Sequence, residues 1–374
     1  MKRTPSKRTQ LGGAHSDTPL LFQHYPGLIG RISWLPLGTY PTRVHRLAHM
    51  GHSHLWIKRE DESSPIYGGN KVRKLEFTLA DAMAGRKNMV ITMGGIGTNH
   101  GLATAMFCHH LGLACRLLLF DQPVTSYVKR NLLLFQKYGA QMAYYKTILR
   151  TGVMLNTVER LTHPGAYILY AGGSSPLGTV GVVNAVFELK RQIDAGEMPP
   201  PRYIFCPLGS NGTMAGLLLG TLLTGINAEV IGVRVSADTL GPINIANPKA
   251  VRALAKQTHR LLRRRSPEIP DIQIPEPRVL GQYFGNGYGC PTPECRKAMT
   301  MLGAKEKVRL DPTYTAKTFA AVMDFIKDPA HRRDTILYWH TYNSVDLSAQ
   351  AGAVDYRDLP EELQWAFEVP ETEV

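Results

Sequence analysis

The residue whose setting most favours chemistry is Lys71, which follows two glycines in the stretch Gly68-Gly69-Asn70-Lys71. Four apolar residues after it have the spacing of one helix face: Val72, Leu75, Leu79 and Met83. The pattern predicts a helix that begins at Lys71 beside a flexible turn. Glycines let a ligand approach the backbone, and free N–H groups at a helix start favour an anion. A lysine held there can lose its proton and attack a carbonyl to form a Schiff base; the alternative is an ordinary solvated lysine.

A second glycine-rich stretch, Gly209-Ser210-Asn211-Gly212-Thr213, has the composition of an anion site. It follows a predicted strand and opens an apolar helix, so backbone N–H groups, hydroxyls and the positive helix end would converge there. The absence of a following Gly-Lys-Ser/Thr excludes a nucleoside-triphosphate loop, and the glycine spacing does not match a dinucleotide fingerprint. A phosphate site together with a Schiff-base lysine points to pyridoxal 5'-phosphate (PLP). The alternative is a strand-to-helix turn that binds nothing.

Short strands alternate with helices along most of the chain, which predicts βαβ units and parallel sheets. The predicted strands are 54–59, 89–92, 115–120, 142–145, 167–170, 203–206, 229–235 and 335–339, with a strand and turn at 308–315. Right-handed crossovers would place the carboxyl ends of these strands on one edge, where open α/β sheets bind ligands. The unusual loops 94–100 and 171–175 follow two of these strands.

The composition is that of a globular protein. Of its 374 residues 44% are hydrophobic, and no apolar run approaches the roughly 20 residues that span a bilayer. The first eight residues are basic but lack the apolar stretch of a secretory signal. We expect a disordered tail on a cytoplasmic protein, the alternative being an organelle-targeting segment. The five cysteines form no Cys-x-x-Cys pair, so neither a disulfide scaffold nor a metal site is expected.

The net charge of +13 lies largely in the N-terminal tail and in residues 256–265. A basic cluster can bind nucleic acid or another acidic surface. Here no aromatic residues are interleaved with the basic ones, no nucleic-acid motif is present, and the run Arg263 to Arg265 suits a helix C-terminus. We interpret the cluster as a solvated helix end and expect no nucleic-acid or membrane partner.

Five stretches, in their order and spacing, resemble the fold-type II PLP enzymes. Within them the resemblance is to the D-cysteine desulfhydrase / 1-aminocyclopropane-1-carboxylate (ACC) deaminase family. It covers about residues 50 to 345 and is specific only as a set. The stretches are Lys58-Arg59-Glu60-Asp61, Gly68 to Glu76, Gly94-Gly95-Ile96-Gly97-Thr98-Asn99-His100, Gly209 to Gly216 and Asp311-Pro312-Thr313-Tyr314-Thr315.

The resemblance implies an α/β fold of PLP fold type II: two three-layer α/β/α domains with mostly parallel sheets and the cofactor in the cleft. The larger domain would comprise residues 1–73 and 181–374, with 1–40 as a tail and wrapping loop. The smaller domain, residues 74–180, would be inserted in it. The resemblance also implies a homodimer that acts on a small amino acid.

The resemblance assigns roles to individual positions. Those that match cofactor-binding residues are Lys71, Lys74, Asn99 at the ring hydroxyl, Gly209, Ser210, Asn211, Gly212 and Thr213 at the phosphate, and Thr315 at the pyridine nitrogen. Those that match holders of the substrate carboxylate are Thr98, Asn99 and His100. Lys71, Tyr288 and Tyr314 match catalytic groups.

Thr315 and Thr341 favour the desulfhydrase branch, because ACC deaminases carry Glu at the first position and Leu at the second. A neutral hydroxyl is a weak partner for the pyridine nitrogen, which favours α-proton removal followed at once by loss of a β-leaving group. We expect Lys71 or Tyr288 to take the α-proton and a tyrosine to protonate the leaving sulfide. D-Cysteine would then give pyruvate, hydrogen sulfide and ammonia.

Departures from the family pattern concern the substrate. The last motif reads His340-Thr341-Tyr342-Asn343 where the family has His-Thr-Gly-Gly, so two larger side chains would crowd the pocket floor. Gly97-Thr98-Asn99-His100 replaces Gln-Ser-Asn-His, an arginine expected shortly after it is absent, and the loop continues into the more apolar Gly101-Leu102. We therefore expect altered carboxylate binding. Two further hypotheses are an ACC deaminase or other PLP ammonia-lyase, and a PLP-binding protein without turnover.

Overall fold

The computed structural model describes residues 18–241 and 243–372, and its strands form two sheets and a short hairpin. The strands are β1 Val44–Arg46, β2 Leu55–Arg59, β3 Met89–Gly95, β4 Ala114–Phe120, β5 Gln141–Tyr144, β6 Tyr167–Leu169, β7 Tyr203–Leu208, β8 Glu229–Arg234, β9 Thr239–Leu240, β10 Ile243–Asn244, β11 Arg278–Leu280 and β12 Ile336–His340. One sheet has the order β1-β2-β12-β7-β8-β11 and is parallel except for the β1–β2 pair. The other, β5-β4-β3-β6, is parallel throughout.

Helices join most successive strands, which confirms the predicted α/β class with mostly parallel sheets. The helices are α1 Leu20–His24, α2 Lys71–Ala84, α3 Asn99–Leu111, α4 Ser126–Lys137, α5 Ile148–Asn156, α6 Val158–Thr162, α7 Pro176–Asp194, α8 Gly212–Thr224, α9 Pro248–Arg265, α10 Pro293–Glu306, α11 Thr315–Phe325, α12 Ser348–Gly352 and α13 Glu361–Glu368. Strands β9 and β10 form an antiparallel hairpin ahead of α9.

Of the strand and turn predicted at 308–315, the turn is present and the strand is not. These residues form an irregular segment and a turn that leads into α11. The edge of the large sheet beside β8 is instead taken by β11, a three-residue strand that the sequence did not indicate. The predicted disordered tail falls on residues 1–17, which lie outside the described residues. Among the residues that are described, no helix combines the length and apolar character that a bilayer crossing requires.

Helix α2 lies between the apolar cores of the two sheets. Val72, Leu75 and Leu79 pack in the cluster on the four-stranded sheet, whereas Phe77 packs in the cluster formed with α7 and α8. Met83, which the pattern placed on the same face as the first three, is 45% exposed. The start of α2, and with it Lys71, is therefore held from both sides.

A buried network of charges also holds α2. The Arg73 guanidinium donates to Glu60 at 2.8 and 2.9 Å and to Glu188 of α7 at 2.8 and 3.0 Å. Lys58 of β2 donates to Glu188 at 2.6 Å and to Gln192 at 2.7 Å. All five side chains are buried. Removing one partner from such a set leaves an uncompensated charge away from water, so the network ties β2, α2 and α7 together.

After β12 the chain crosses to the four-stranded sheet. Leu347, Leu359 and Leu363, which lie in or beside α12 and α13, are buried in the same apolar cluster as Val72 of α2. The division of the chain at residues 74 and 180 stays a prediction, and by packing these C-terminal helices belong with the smaller sheet.

We predict that Arg73→Ala lowers the free energy of unfolding by about 3 to 5 kcal/mol, because it leaves the buried Glu60 carboxylate without its countercharge and Glu188 with Lys58 alone. The matched control is Arg43→Ala, which removes an exposed Arg43–Glu62 pair and should cost less than about 1 kcal/mol. Urea unfolding of both variants and the unmodified protein measures the difference. Equal effects of the two substitutions would contradict the structural role of the network.

Candidate active site

Loops at the carboxyl ends of strands from both sheets surround a cavity of about 1050 Å³. This is the sheet edge that the βαβ pattern indicated. The predicted site residues that line the cavity are Lys71, Thr98, Asn99, His100, Gly209, Ser210, Asn211, Thr213, Tyr288 and Tyr314. Three others, Lys74, Gly212 and Thr315, do not line it. The structure thus brings together most of a set that is spread over more than 240 positions of the chain.

Lys71 begins α2, as predicted, and its amine donates to Asn70 Oδ1 at 2.9 Å. Asn70 Nδ2 in turn donates to Thr213 Oγ1 at 2.6 Å, so one amide links the lysine to the turn that begins α8. Burial lowers the pKa of Lys71 to about 8, although Asp311 acts in the opposite direction. A substantial fraction of the amine is therefore neutral near physiological pH, which is the form that attacks a carbonyl.

The turn at 209–213 is closed from the other sheet by a loop after β6. Ser174 Oγ donates to Ser210 Oγ at 2.9 Å and accepts from the backbone N–H of Gly212 at 3.2 Å. Lys74 Nζ donates to Ser174 Oγ at 3.1 Å and to the Gly172 carbonyl at 3.0 Å. Lys74 and Gly212 therefore lie directly behind the residues that face the cavity.

The residues predicted to hold a carboxylate form the first turn of α3. Thr98 caps this helix, and its side chain accepts from the Gly101 N–H. Asn99 Oδ1 accepts from Asn131 Nδ2 at 3.3 Å. His100 is buried, and neither ring nitrogen has a hydrogen-bond partner among the described residues. Burial, with Lys71 and Lys74 nearby, lowers the pKa of His100 well below its usual value, so the ring is neutral.

Tyr288 and Tyr314 meet across the cavity wall with their hydroxyls 2.6 Å apart. Burial raises the pKa of both phenols, and the hydrogen bond from Tyr314 lowers that of Tyr288 in part. Lys317 of α11, fully buried, donates to the carbonyls of Phe284 and Gly287 at 2.6 and 3.0 Å and so fixes the loop that carries Tyr288. Both phenols are protonated at neutral pH and can donate a proton.

Thr315 does not line the cavity, and its role at the pyridine nitrogen stays a prediction. Its hydroxyl donates to Asp311 Oδ2 at 2.6 Å and accepts from the Asp311 N–H at 2.7 Å, because Asp311 begins the turn into α11. The Asp311 carboxylate also accepts from the N–H groups of Thr313 and Tyr314. Asp311 and Tyr314 of this motif line the cavity, as do Thr341, Tyr342 and Asn343 of the last motif.

The two larger side chains after Thr341 do not act alike. Asn343 Oδ1 accepts from the Gly68 N–H at 2.7 Å and so holds the glycine turn before Lys71. Tyr342 lines the cavity and its hydroxyl accepts from Arg130 at 3.4 Å, beside the ring of Tyr127. Both side chains line the cavity, as the expected crowding requires, and Asn343 in addition holds the backbone before Lys71.

Sequence reasoning missed Asn70, Ser174, Asp311 and Lys317 as parts of this site. Asn70 and Asp311 stood inside quoted motifs, and an aspartate directly before a proline is a recognisable turn signal. Ser174 lay in a glycine-rich loop after a predicted strand. Lys317 gave no signal, since its partners are backbone carbonyls about 30 residues away.

The residues present fit PLP. Lys74 is a buried amine that forms no ion pair with any described carboxylate, and it lies against the turn that begins α8. A Cβ at Gly212 would lie 2.7 Å from both Lys74 Nζ and Ser174 Oγ, so the glycine keeps this corner open. A phosphate group would supply the missing negative charge at a helix start that favours it.

The chain is similar to known proteins over most of its length. The model of the pyridoxal-phosphate dependent enzyme family matches residues 35–341. A putative 1-aminocyclopropane-1-carboxylate deaminase of Pyrococcus abyssi is 31% identical, covering 87% of this chain and 94% of the relative. A nocardicin C-9' epimerase of Nocardia uniformis is 32% identical (87% and 97%), and a D-cysteine desulfhydrase of Salmonella typhimurium is 31% identical (87% and 98%).

Among solved structures, the crystal structure of an ACC deaminase homologue superimposes with a TM-score of 0.72 at 26% identity. The match covers 90% of this chain and 99% of that one. The resemblance inferred from the five stretches of sequence is thus confirmed, both for the family and for PLP as its cofactor.

We predict that the protein freed of cofactor forms an imine with added PLP at a rate that rises with pH and reaches half its maximum near pH 8. Only the neutral Lys71 amine reacts, and an ordinary exposed lysine would give a midpoint near about 10.4. Asn70→Asp should move the midpoint upward by about 1 unit or more, because a carboxylate then faces the amine. Stopped-flow absorbance measures the rate.

Asn70→Ala is the matched control, since it removes the same hydrogen bond to Thr213 without adding a charge. Its midpoint should not rise. An unshifted midpoint in the Asp variant would contradict the contact between residue 70 and the reactive amine.

Proposed function

The chain belongs to the pyridoxal-phosphate dependent enzyme family, and on this premise we propose a lyase that performs α,β-elimination on a small amino acid, with D-cysteine as the favoured substrate. The observation that carries the proposal is the shared cavity of Lys71 and the turn at 209–213, linked through Asn70 and Thr213. One bound PLP would be held by Lys71 at its aldehyde and by the turn, with Lys74 behind it, at its phosphate.

The substrate would be held through its carboxylate at the start of α3. The first N–H groups of a helix have no acceptor within the helix, so those of Asn99 and His100 suit a carboxylate. Thr98 keeps the helix start in place through its bond to Gly101. The His100 ring, which is buried and has no hydrogen-bond partner within residues 18–241 and 243–372, is a donor for the same group.

Bound PLP supplies an electron sink that makes the α-proton of an amino acid acidic. The amine of Lys71 is the base that suits this proton, because its lowered pKa makes the neutral form available. Tyr288 is the better acid of the tyrosine pair, since the hydrogen bond with Tyr314 offsets part of the rise in its pKa. It would protonate the departing sulfur, and the released 2-aminoacrylate would hydrolyse to pyruvate and ammonia.

One observation favours D-cysteine over ACC: the hydroxyl-bearing Thr341 lines the cavity where ACC deaminases are expected to carry Leu. Relatives at the same 31% identity are named D-cysteine desulfhydrase and putative ACC deaminase, so their names support both substrates alike. Thr315 supports the preference less directly than the sequence indicated, because it lies behind Asp311. A second candidate, an ACC deaminase or other PLP ammonia-lyase, is favoured by the deaminase names among the relatives.

We expect the protein loaded with PLP to release pyruvate and sulfide from D-cysteine, with a kcat/KM at least tenfold higher than for L-cysteine or ACC. Lys71→Ala should lower turnover to background, since it removes both the cofactor's covalent anchor and the base. A coupled assay for pyruvate and a colorimetric assay for sulfide measure the products. Ketobutyrate from ACC as the main product would establish the second candidate, and deuterium exchange at Cα without pyruvate would exclude a lyase.

We predict that Tyr288→Phe lowers kcat for D-cysteine by about 10²-fold or more but affects β-chloro-D-alanine far less. A thiolate benefits from protonation as it leaves, whereas chloride leaves without a proton, and general acids typically contribute about 10²–10⁴-fold. Tyr283→Phe is the matched control, because the Tyr283 hydroxyl bonds Asp324 outside the cavity. Equal losses on both substrates would remove Tyr288 as the acid.

A further inference from the structure

Helix α5 has two apolar faces. Leu155 on one face is fully buried with Ile91 and Leu118 of the four-stranded sheet. On the other face Ile148, Leu149 and Val153 are 39%, 58% and 60% exposed. A helix that covers a sheet normally turns polar residues to its free face, so an exposed apolar face marks a contact with something else.

The exposed face of α5 lines the cavity that contains Lys71. Ile148, Leu149, Gly152, Val153 and Asn156 all belong to the cavity wall, and their spacing of one, three, one and three residues follows one side of a helix. Other apolar residues of the same cavity include Phe120, Tyr170 and Leu240. The apolar region, which we call the mouth, is therefore continuous with the reactive lysine.

The cavity must hold PLP as well as the substrate. Its volume of about 1050 Å³ is at the upper end of the range for sites that bind drug-sized ligands, and its wall on α5 extends beyond the residues that would bind PLP and the substrate carboxylate. Cysteine ends in a sulfur one carbon from its α-carbon and would leave the mouth without an apolar occupant.

We infer that the mouth is a subsite for an apolar group carried on the β-substituent, so that the protein acts on β-substituted D-amino acids with an alkyl or aryl extension. This inference rests on the proposed function and adds the substrate class to it. The favoured occupant is the substrate rather than a second copy of the chain, because the apolar residues belong to the same cavity as Lys71.

The reaction on such a substrate is the same elimination. From an S-alkyl-D-cysteine the Cα–H and Cβ–S bonds break and a Cα–Cβ double bond forms. The proton goes to the base, the electron pair of the Cβ–S bond goes to sulfur, and the alkanethiolate takes up a proton. Water then converts 2-aminoacrylate to pyruvate and ammonium, so no oxidant or reductant is required.

The test compares S-methyl-, S-propyl- and S-hexyl-D-cysteine as substrates of the holoenzyme. Each methylene that becomes buried should raise kcat/KM by up to about fourfold, so the S-hexyl to S-methyl ratio should be at least about tenfold. Leu149→Asp should lower this ratio by about fivefold or more. The matched control is Leu161→Asp, because Leu161 is 81% exposed and does not line the cavity; its ratio should match that of the unmodified protein.

A binding measurement without turnover separates this inference from the proposed function. The fluorescent apolar probe 1-anilinonaphthalene-8-sulfonate should bind the cofactor-free protein, lose at least fivefold in affinity with Leu149→Asp but not with Leu161→Asp, and be displaced by S-hexyl- but not S-methyl-D-cysteine. Failure of every cysteine derivative to give pyruvate would refute the lyase, while this measurement would still decide the subsite.

Three outcomes would overturn the inference. The S-hexyl to S-methyl ratio could be near one, Leu149→Asp and Leu161→Asp could act alike, or Leu149→Asp could change the molecular mass measured by light scattering. The last result would assign the mouth to an interface between copies of the chain.

Discussion

The position of the reactive amine depends on charges buried behind it. Arg73 lies two residues after Lys71 on α2, and its bonds to Glu60 and Glu188 fix that helix against β2 and α7. Buried ion pairs often contribute little net stability, but they tolerate few alternative arrangements, because an unpaired member is costly. In this protein the network ties the position of Lys71 to the core of the larger sheet. The apolar face of α2 ties the same residue to the core of the smaller sheet.

Periodicity was sufficient to predict most of the fold. The strands that became β3, β4 and β7 are apolar runs bounded by glycine or proline, and α2, α7 and α9 have clear helical spacing, so their local patterns agree with their surroundings. The failures have local causes. β11 has three residues and is defined by pairing with β8, which no local pattern reports. At 308–315 the apolar alternation is overridden by the Asp311 carboxylate, which captures backbone N–H groups and bends the chain into α11.

For the site, sequence reasoning identified residues that lie in loops with unusual composition and failed where a role depends on a distant neighbour. Glycines at the ends of strands and helices made Lys71 and the turn at 209–213 recognisable from the sequence. Lys317 shows the second case, because its amine binds the carbonyls of Phe284 and Gly287, about 30 residues away. Ser174 joins the turn only because the two sheets meet there. Such contacts between distant segments follow from tertiary packing, which one sequence does not report.

The crossing of the C-terminal segment to the smaller sheet has a consequence for how the protein is made. Leu359 and Leu363, together with Leu347, Ala351 and Ala366, complete an apolar cluster whose other buried members come from residues 37 to 169. During translation that cluster stays open while about 200 further residues are added, and exposed apolar surface of this kind is prone to aggregation. The apolar cluster on the smaller sheet therefore cannot be completed until α13 has emerged from the ribosome, although most of its residues are made much earlier.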